Sequence, residues 1–292
     1  MNKKKTTILL AILAGIVMLI SCQNKSGIST DKQVSVSIIP QKFIVERITD
    51  NRVSVNVLVP PGAKPETYAL LPSQMKNLTQ SKIWLLIGHI GFETAWKEKI
   101  SEINPQLEIV DCSEGINLIS HEEKNDTHEH GIDPHVWMAP SEMKQIVQNS
   151  LHALIKVFPE EKATFESNAA LLLQEIDSLD QSLHARLDTI THRAFMIFHP
   201  GLTYFAREFN LVQIPLEIEG KEPSPRYMKE IVDIARSKKI TTIFIQKEFD
   251  QENALQLAKE INGKVVPIDP LAYSWTDQML KIGTLLTHKT NL

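Results

Sequence analysis

The sequence predicts an α/β protein: two α/β lobes with parallel-type sheets, joined by one long backbone helix. Three observations carry this. Short apolar runs alternate with helical stretches in two separate blocks, which is the pattern of βαβ units around sheets buried on both faces. An amphipathic stretch over 160–191 separates the blocks, with no Gly or Pro inside it. Four potential metal ligands, Glu66, His135, His199 and Asp269, stand at the ends of apolar runs, too far apart for any two to share a helix turn.

In chain order, residues 1–21 read as a secretory signal. Lys3, Lys4 and Lys5 form a basic start, and an apolar stretch over 8–20 is too short for an ordinary spanning helix. The stretch ends Leu19-Ile20-Ser21-Cys22, which resembles the lipobox of bacterial lipoproteins. The resemblance implies cleavage before Cys22 and acylation of its thiol. A Ser-, Thr- and Lys-rich segment over 22–33 suits a tether.

Residues 34–158 form the first block. Strands are expected over 34–39, 53–59, 83–87 and 107–110, and helices over 41–50, 72–80 and 92–103. The alternation then breaks at 120–131, a polar, His- and acid-rich loop. His121, His128 and His130 give it an accessory capacity for capturing metal. A helix is expected over 140–158.

Residues 159–191 form the joining helix. Phe165, Ala169, Leu172, Ile176, Leu179, Leu183, Leu187 and Ile190 recur at steps of three or four. Coiled-coil pairing would give the same stripe, but a position between two α/β blocks suits a spine. Residues 192–292 repeat the first pattern. Strands are expected over 194–198, 241–245 and 264–268, and helices over 201–210, 225–237, 251–261 and 275–288, with Ser224 as N-cap and Pro225 opening the helix at 225.

Two imidazoles and two carboxylates make a coordination set for a divalent cation. Each candidate also has a plainer reading: His135 and His199 as packed histidines, Asp269 as a turn residue before Pro270, Glu66 as surface. Their shared address favours ligation. His199 and Asp269 directly follow predicted strands, Glu66 lies just beyond another, and open parallel sheets bind ligands beyond the carboxyl ends of their strands.

Composition agrees. Cys112 is the one thiol besides Cys22, so no disulfide closes within the mature chain, and stability must come from the core. Cys112 reads as a small buried apolar residue. The formal net charge of −4 becomes about −7 once the three signal lysines are removed, which argues against a nucleic-acid partner and for cationic ligands.

Several segments together resemble the metal-binding members of the bacterial ABC-transporter solute-binding proteins, the zinc/manganese receptors. They are Val59-Pro60-Pro61-Gly62-Ala63-Lys64-Pro65-Glu66-Thr67-Tyr68, Asp133-Pro134-His135-Val136-Trp137, Phe198-His199, Glu219-Gly220-Lys221-Glu222-Pro223-Ser224 and Asp269-Pro270-Leu271. The resemblance implies two lobes on a backbone helix, a metal in the cleft and delivery to the membrane permease of an ABC importer. It further implies an extracytoplasmic monomer anchored to a bacterial membrane as a lipoprotein, carrying Zn²⁺ or Mn²⁺ rather than acting as an enzyme. Relatives usually carry His where this chain has Glu66, and vary between His and Glu at the position of His199. A secreted zinc hydrolase and an adhesin with a structural metal are the other functions such donors could serve. No His-Glu-x-x-His helix or serine elbow supports the hydrolase.

Overall fold

The computed structural model describes residues 32–120, 131–217, 224–249 and 251–287. The expectations placed on Cys22 and its tether, and on His121, His128 and His130, lie outside these residues, as does the Glu219–Pro223 part of one motif.

Two four-stranded parallel sheets organise the chain. The first contains β1 (Gln33–Val36), β2 (Ser54–Val57), β3 (Ile83–Leu86) and β4 (Glu108–Asp111), in the order β2-β1-β3-β4. The second contains β5 (Ala194–Ile197), β6 (Val212–Pro215), β7 (Thr242–Gln246) and β8 (Lys264–Ile268), in the order β6-β5-β7-β8. Central strands are the most apolar: all four residues of β3 are buried, because helices cover both faces. Helices α1 (Ile39–Thr49), α2 (Pro72–Gln80) and α3 (Gly91–Ile103) connect the first sheet. Helices α4 (Pro140–Val157) and α5 (Lys162–Leu187) cross to the second, which α6 (Thr203–Glu208), α7 (Pro225–Ser237), α8 (Glu252–Glu260) and α9 (Trp275–Thr287) complete.

The buried face of α5 is the predicted stripe from Phe165 to Leu187. It packs against α1, α4 and α9. Gly283 of α9 permits this approach, since a Cβ there would stand 2.3 Å from Leu183 Cδ2. One apolar cluster runs from Val36 and Leu85 through Leu172 and Leu183 to Phe244 and Trp275. Both sheets therefore share a core, and a second cluster, with Met196, Ile243 and Leu257, lies in the second half alone. A shared apolar core opposes free rotation of the sheets about α5.

Two differences from the sequence reading have local causes. The joining helix is shorter than 159–191: Pro159–Glu161 is a 3₁₀ turn, and α5 ends at Leu187. At its end the Leu187 carbonyl accepts from the Ile190 N–H at 3.3 Å, a tighter turn, and from Arg193 Nη1 at 2.7 Å. Strand β6 was not expected at all. It is a short edge strand with Val212 half exposed, Gln213 in its middle and Pro215 at its end, and pairing with β5 rather than local pattern makes it a strand.

Candidate metal site

The carboxyl ends of both sheets deliver the donors. Glu66 lies in a 3₁₀ turn, Pro65–Thr67, on the segment that follows β2. Its backbone leans on the start of α3, where a Cβ on Gly91 would stand 2.4 Å from the Glu66 carbonyl oxygen. His135 opens the turn Val136–Met138 that leads into α4. His199 follows β5. The pocket between them is also lined by Lys64, Pro65, Trp137, Gln246, Glu248, Phe249, Pro270 and Leu271.

Each imidazole is held through one nitrogen and offers the other. Asp133 Oδ1 accepts the His135 backbone N–H at 2.9 Å and lies 2.7 Å from Nδ1. Asp133 and His135 are 1% and 6% exposed, so this pair is fixed out of water. Glu217 Oε2 lies 3.2 Å from His199 Nδ1. Gln246 grips the His199 backbone, donating to its carbonyl at 2.7 Å and accepting its N–H at 3.3 Å. The His199 ring stacks on Phe249. A carboxylate on Nδ1 sets the tautomer that leaves Nε2 free to ligate.

The three free donors face one another. His135 Nε2 is 3.3 Å from His199 Nε2, and Glu66 Oε1 is 3.5 Å and 3.7 Å from the two nitrogens. Ligands bonded tetrahedrally at zinc distances stand about 3.3–3.6 Å apart. The donors are thus already spaced for such an ion, and a fourth position is left open to it.

Charge is arranged to match. Burial acts to lower the His135 pKa, but Asp133 and Glu66 outweigh it and raise it to about 10. Burial acts to raise the Glu66 pKa, yet His135 and His199 bring it down to about 2. Asp133 is similarly brought to about 2 against its own burial, by His135 first. Burial, with Asp269 and Glu66 adding repulsion, raises Glu248. Negative charge concentrated behind and beside two imidazoles is an environment that a cation relieves.

Among the described residues, the donor atoms gathered here are those of Glu66, His135 and His199. Asp269 follows β8 as expected, but its Oδ2 accepts from Lys247 Nζ at 2.6 Å and does not join the group. It also forms a turn, its carbonyl accepting from the Ala272 N–H. Asp133, Glu217 and Gln246 escaped the sequence reading. Asp133 lay in view, two residues before His135; Glu217 follows the unexpected strand β6 and has no local signal. Cys112 is fully buried, and burial pushes its thiol up to about 12, which suits a small core residue.

Comparison with known proteins gives this geometry a family. Residues 34–284 match the family of the periplasmic zinc-uptake complex component A. A solved structure of ZnuA superposes with a TM-score of 0.82 at 34% identity, over 88% of this chain and 98% of that one. A relative in Chlamydia trachomatis is 27% identical over 266 residues, which is 91% of this chain and 94% of its own. The manganese ABC transporter substrate-binding lipoprotein ScaA of Streptococcus gordonii is 26% identical over 297 residues, covering 96% of this chain and 92% of its own. With the family match running through both sheets and both halves of the pocket, the chain belongs to the family of periplasmic zinc-uptake components, the substrate-binding receptors of metal importers.

Proposed function

We propose that this chain captures a single divalent transition metal between Glu66, His135 and His199 outside the cytoplasm and passes it to the membrane permease of an ABC importer. The observation that carries this is the set of three donor atoms at tetrahedral spacing, with both imidazoles fixed from behind by carboxylates. Two nitrogen donors and one oxygen favour zinc, and the Irving–Williams order places zinc above manganese at such a site. Asp269 is a fourth donor in reserve, available when Lys247 lets go, and its oxygen would suit manganese.

The proposal includes acylation at Cys22, which would hold a monomeric receptor at the membrane surface, and weak capture by His121, His128 and His130. ScaA, a relative along nearly the whole chain, is a lipoprotein. Cys22→Ala should shift the protein from the membrane fraction to the soluble one; continued membrane association would reject acylation.

Metal analysis of protein purified without chelator, followed by calorimetric competition of Zn²⁺ against Mn²⁺, tests the main reading. The pocket should contribute one equivalent of metal, and that equivalent should be lost in His135→Ala and in His199→Ala. Undiminished binding in both variants would overturn the assignment.

A further inference from the structure

A second group of metal-ligating side chains lies on different elements from the pocket. Asp180 and His184 sit one turn apart on α5, and Glu208 ends α6. Their donor atoms all lie within 4.8 Å of one another. The three come from elements fixed by other contacts, so the grouping does not depend on one mobile side chain. Both Glu208 oxygens accept the Ser141 N–H in the first turn of α4, at 3.2 Å and 3.3 Å. His184 packs against Phe209, with ring centroids 4.8 Å apart.

Two features single this cluster out from ordinary surface acids. Asp180 Oδ1 is fully buried and has no hydrogen-bond partner; His184 Nε2 stands 3.5 Å from it without bonding. A buried carboxylate oxygen without a donor is costly, and a cation would satisfy it. His184 also has a carboxylate on its Nδ1, though an exposed one, unlike the buried partners in the pocket. Asp188 Oδ2 lies 3.3 Å from its Nδ1, which leaves Nε2 facing Asp180. Nearby, Lys144 Nζ is 2.9 Å from Asp177 and 3.6 Å from Asp180 Oδ2, so it serves the other oxygen and leaves Oδ1 unmet.

We propose that Asp180, His184 and Glu208 form a second divalent-cation site, taking Zn²⁺ or a similar transition ion through one imidazole nitrogen and two carboxylate oxygens. The ion fastens the joining helix α5 to α6 of the second half, beside the α4 terminus of the first. It braces the junction of the two halves and is not cargo. The rival account is a protonated His184 that merely pairs with Asp180 and Asp188.

The site does not depend on the pocket, so it is tested in the full chain with the pocket disabled by His135→Ala and His199→Ala. Zn²⁺ titration by calorimetry, with the melting temperature followed in parallel, should still show binding and a rise in melting temperature. Adding His184→Ala should remove one equivalent and the thermal response. Adding Glu208→Gln instead should weaken that equivalent by about tenfold or more. Zinc captured by His121, His128 and His130 would be common to every variant and subtracts out. An unchanged equivalent count after His184→Ala would overturn the proposal and favour the ion-pair account. Failure of the pocket reading would appear separately, as no difference between wild type and the pocket variant.

Discussion

The two halves of the molecule have the same strand order yet commit their donors differently. In the first half, Glu66 and His135 are both turned into the pocket, and the carboxylate behind His135 is almost wholly buried. In the second half, His199 is committed in the same way by Glu217 and Gln246, but Asp269 is held by Lys247, a side chain 63% exposed. A shared topology brings loops to the same place. What the loops then do depends on the burial and charge of the next residue along. A ligand fixed by a buried partner is already oriented before the metal arrives and has only a proton to give up; a ligand held by an exposed one must first be released from it.

The largest effects should come from the committed side. His135→Ala should weaken Zn²⁺ binding by more than about 100-fold, and Asp133→Asn by about 10- to 100-fold, since loss of an outer partner leaves the ring without a fixed tautomer. Titration calorimetry at one pH checks both. Near-native affinity in Asp133→Asn would mean that packing against Trp137 alone orients the ring, and the contrast between the halves would fail.

Proton linkage gives the next effect. With its pKa raised to about 10, His135 is protonated in the metal-free protein at neutral pH, and the metal must displace that proton. About one proton should be released per ion near pH 7, read from the binding enthalpy in buffers of different ionisation heat, and affinity should rise with pH. The stability of the metal-free protein follows the same groups. The contribution of His135 is present below its ordinary 6.5 and lost as pH rises through about 10. Those of Glu66 and Asp133 are present above their ordinary 4.5 and 3.8 and lost as pH falls toward about 2. Zero proton release would show that His135 is neutral before binding.

A smaller effect is expected from Gly91→Ala. The added methyl would meet the Glu66 carbonyl at 2.4 Å, so the turn carrying Glu66 must shift. Overpacking of this kind costs about 1–3 kcal/mol. Weaker zinc binding with an almost unchanged melting temperature would locate that cost in the site.

Most of this arrangement was legible in the sequence because it rests on short-range signals. Apolar runs marked seven of the eight strands, and the spacing from Phe165 to Leu187 marked the buried face of α5. The addresses of Glu66 and His199 at strand ends anticipated their meeting, whereas Asp269, with the same kind of address, does not join them. What stayed hidden depends on tertiary contact. Strand β6 exists through its pairing with β5, α5 stops where Arg193 reaches its last carbonyl, and Glu217 becomes an imidazole partner only once β6 is in place. The engagement of Asp269 by Lys247 joins loops that follow different strands, and no periodicity reports it.

That engagement sets the smallest prediction. Lys247→Ala removes the cation that holds Asp269 out of the donor group. An ion pair this exposed is worth at most about 1 kcal/mol, or about fivefold in an equilibrium constant. Releasing Asp269 should therefore tighten metal binding by no more than that. The gain should favour Mn²⁺, which prefers oxygen donors and a higher coordination number, over Zn²⁺, already served by two imidazoles and Glu66. High salt should have the same effect on the wild-type protein, since screening weakens the pair without touching the buried donors. The ratio of the two dissociation constants, in wild type and Lys247→Ala at low and high salt, decides the matter. A narrower zinc-over-manganese gap in the variant, approached by wild type in high salt, would make Lys247 the residue that biases the second half toward zinc. A ratio unmoved by either change would leave Asp269 a turn residue and confine metal choice to Glu66, His135 and His199.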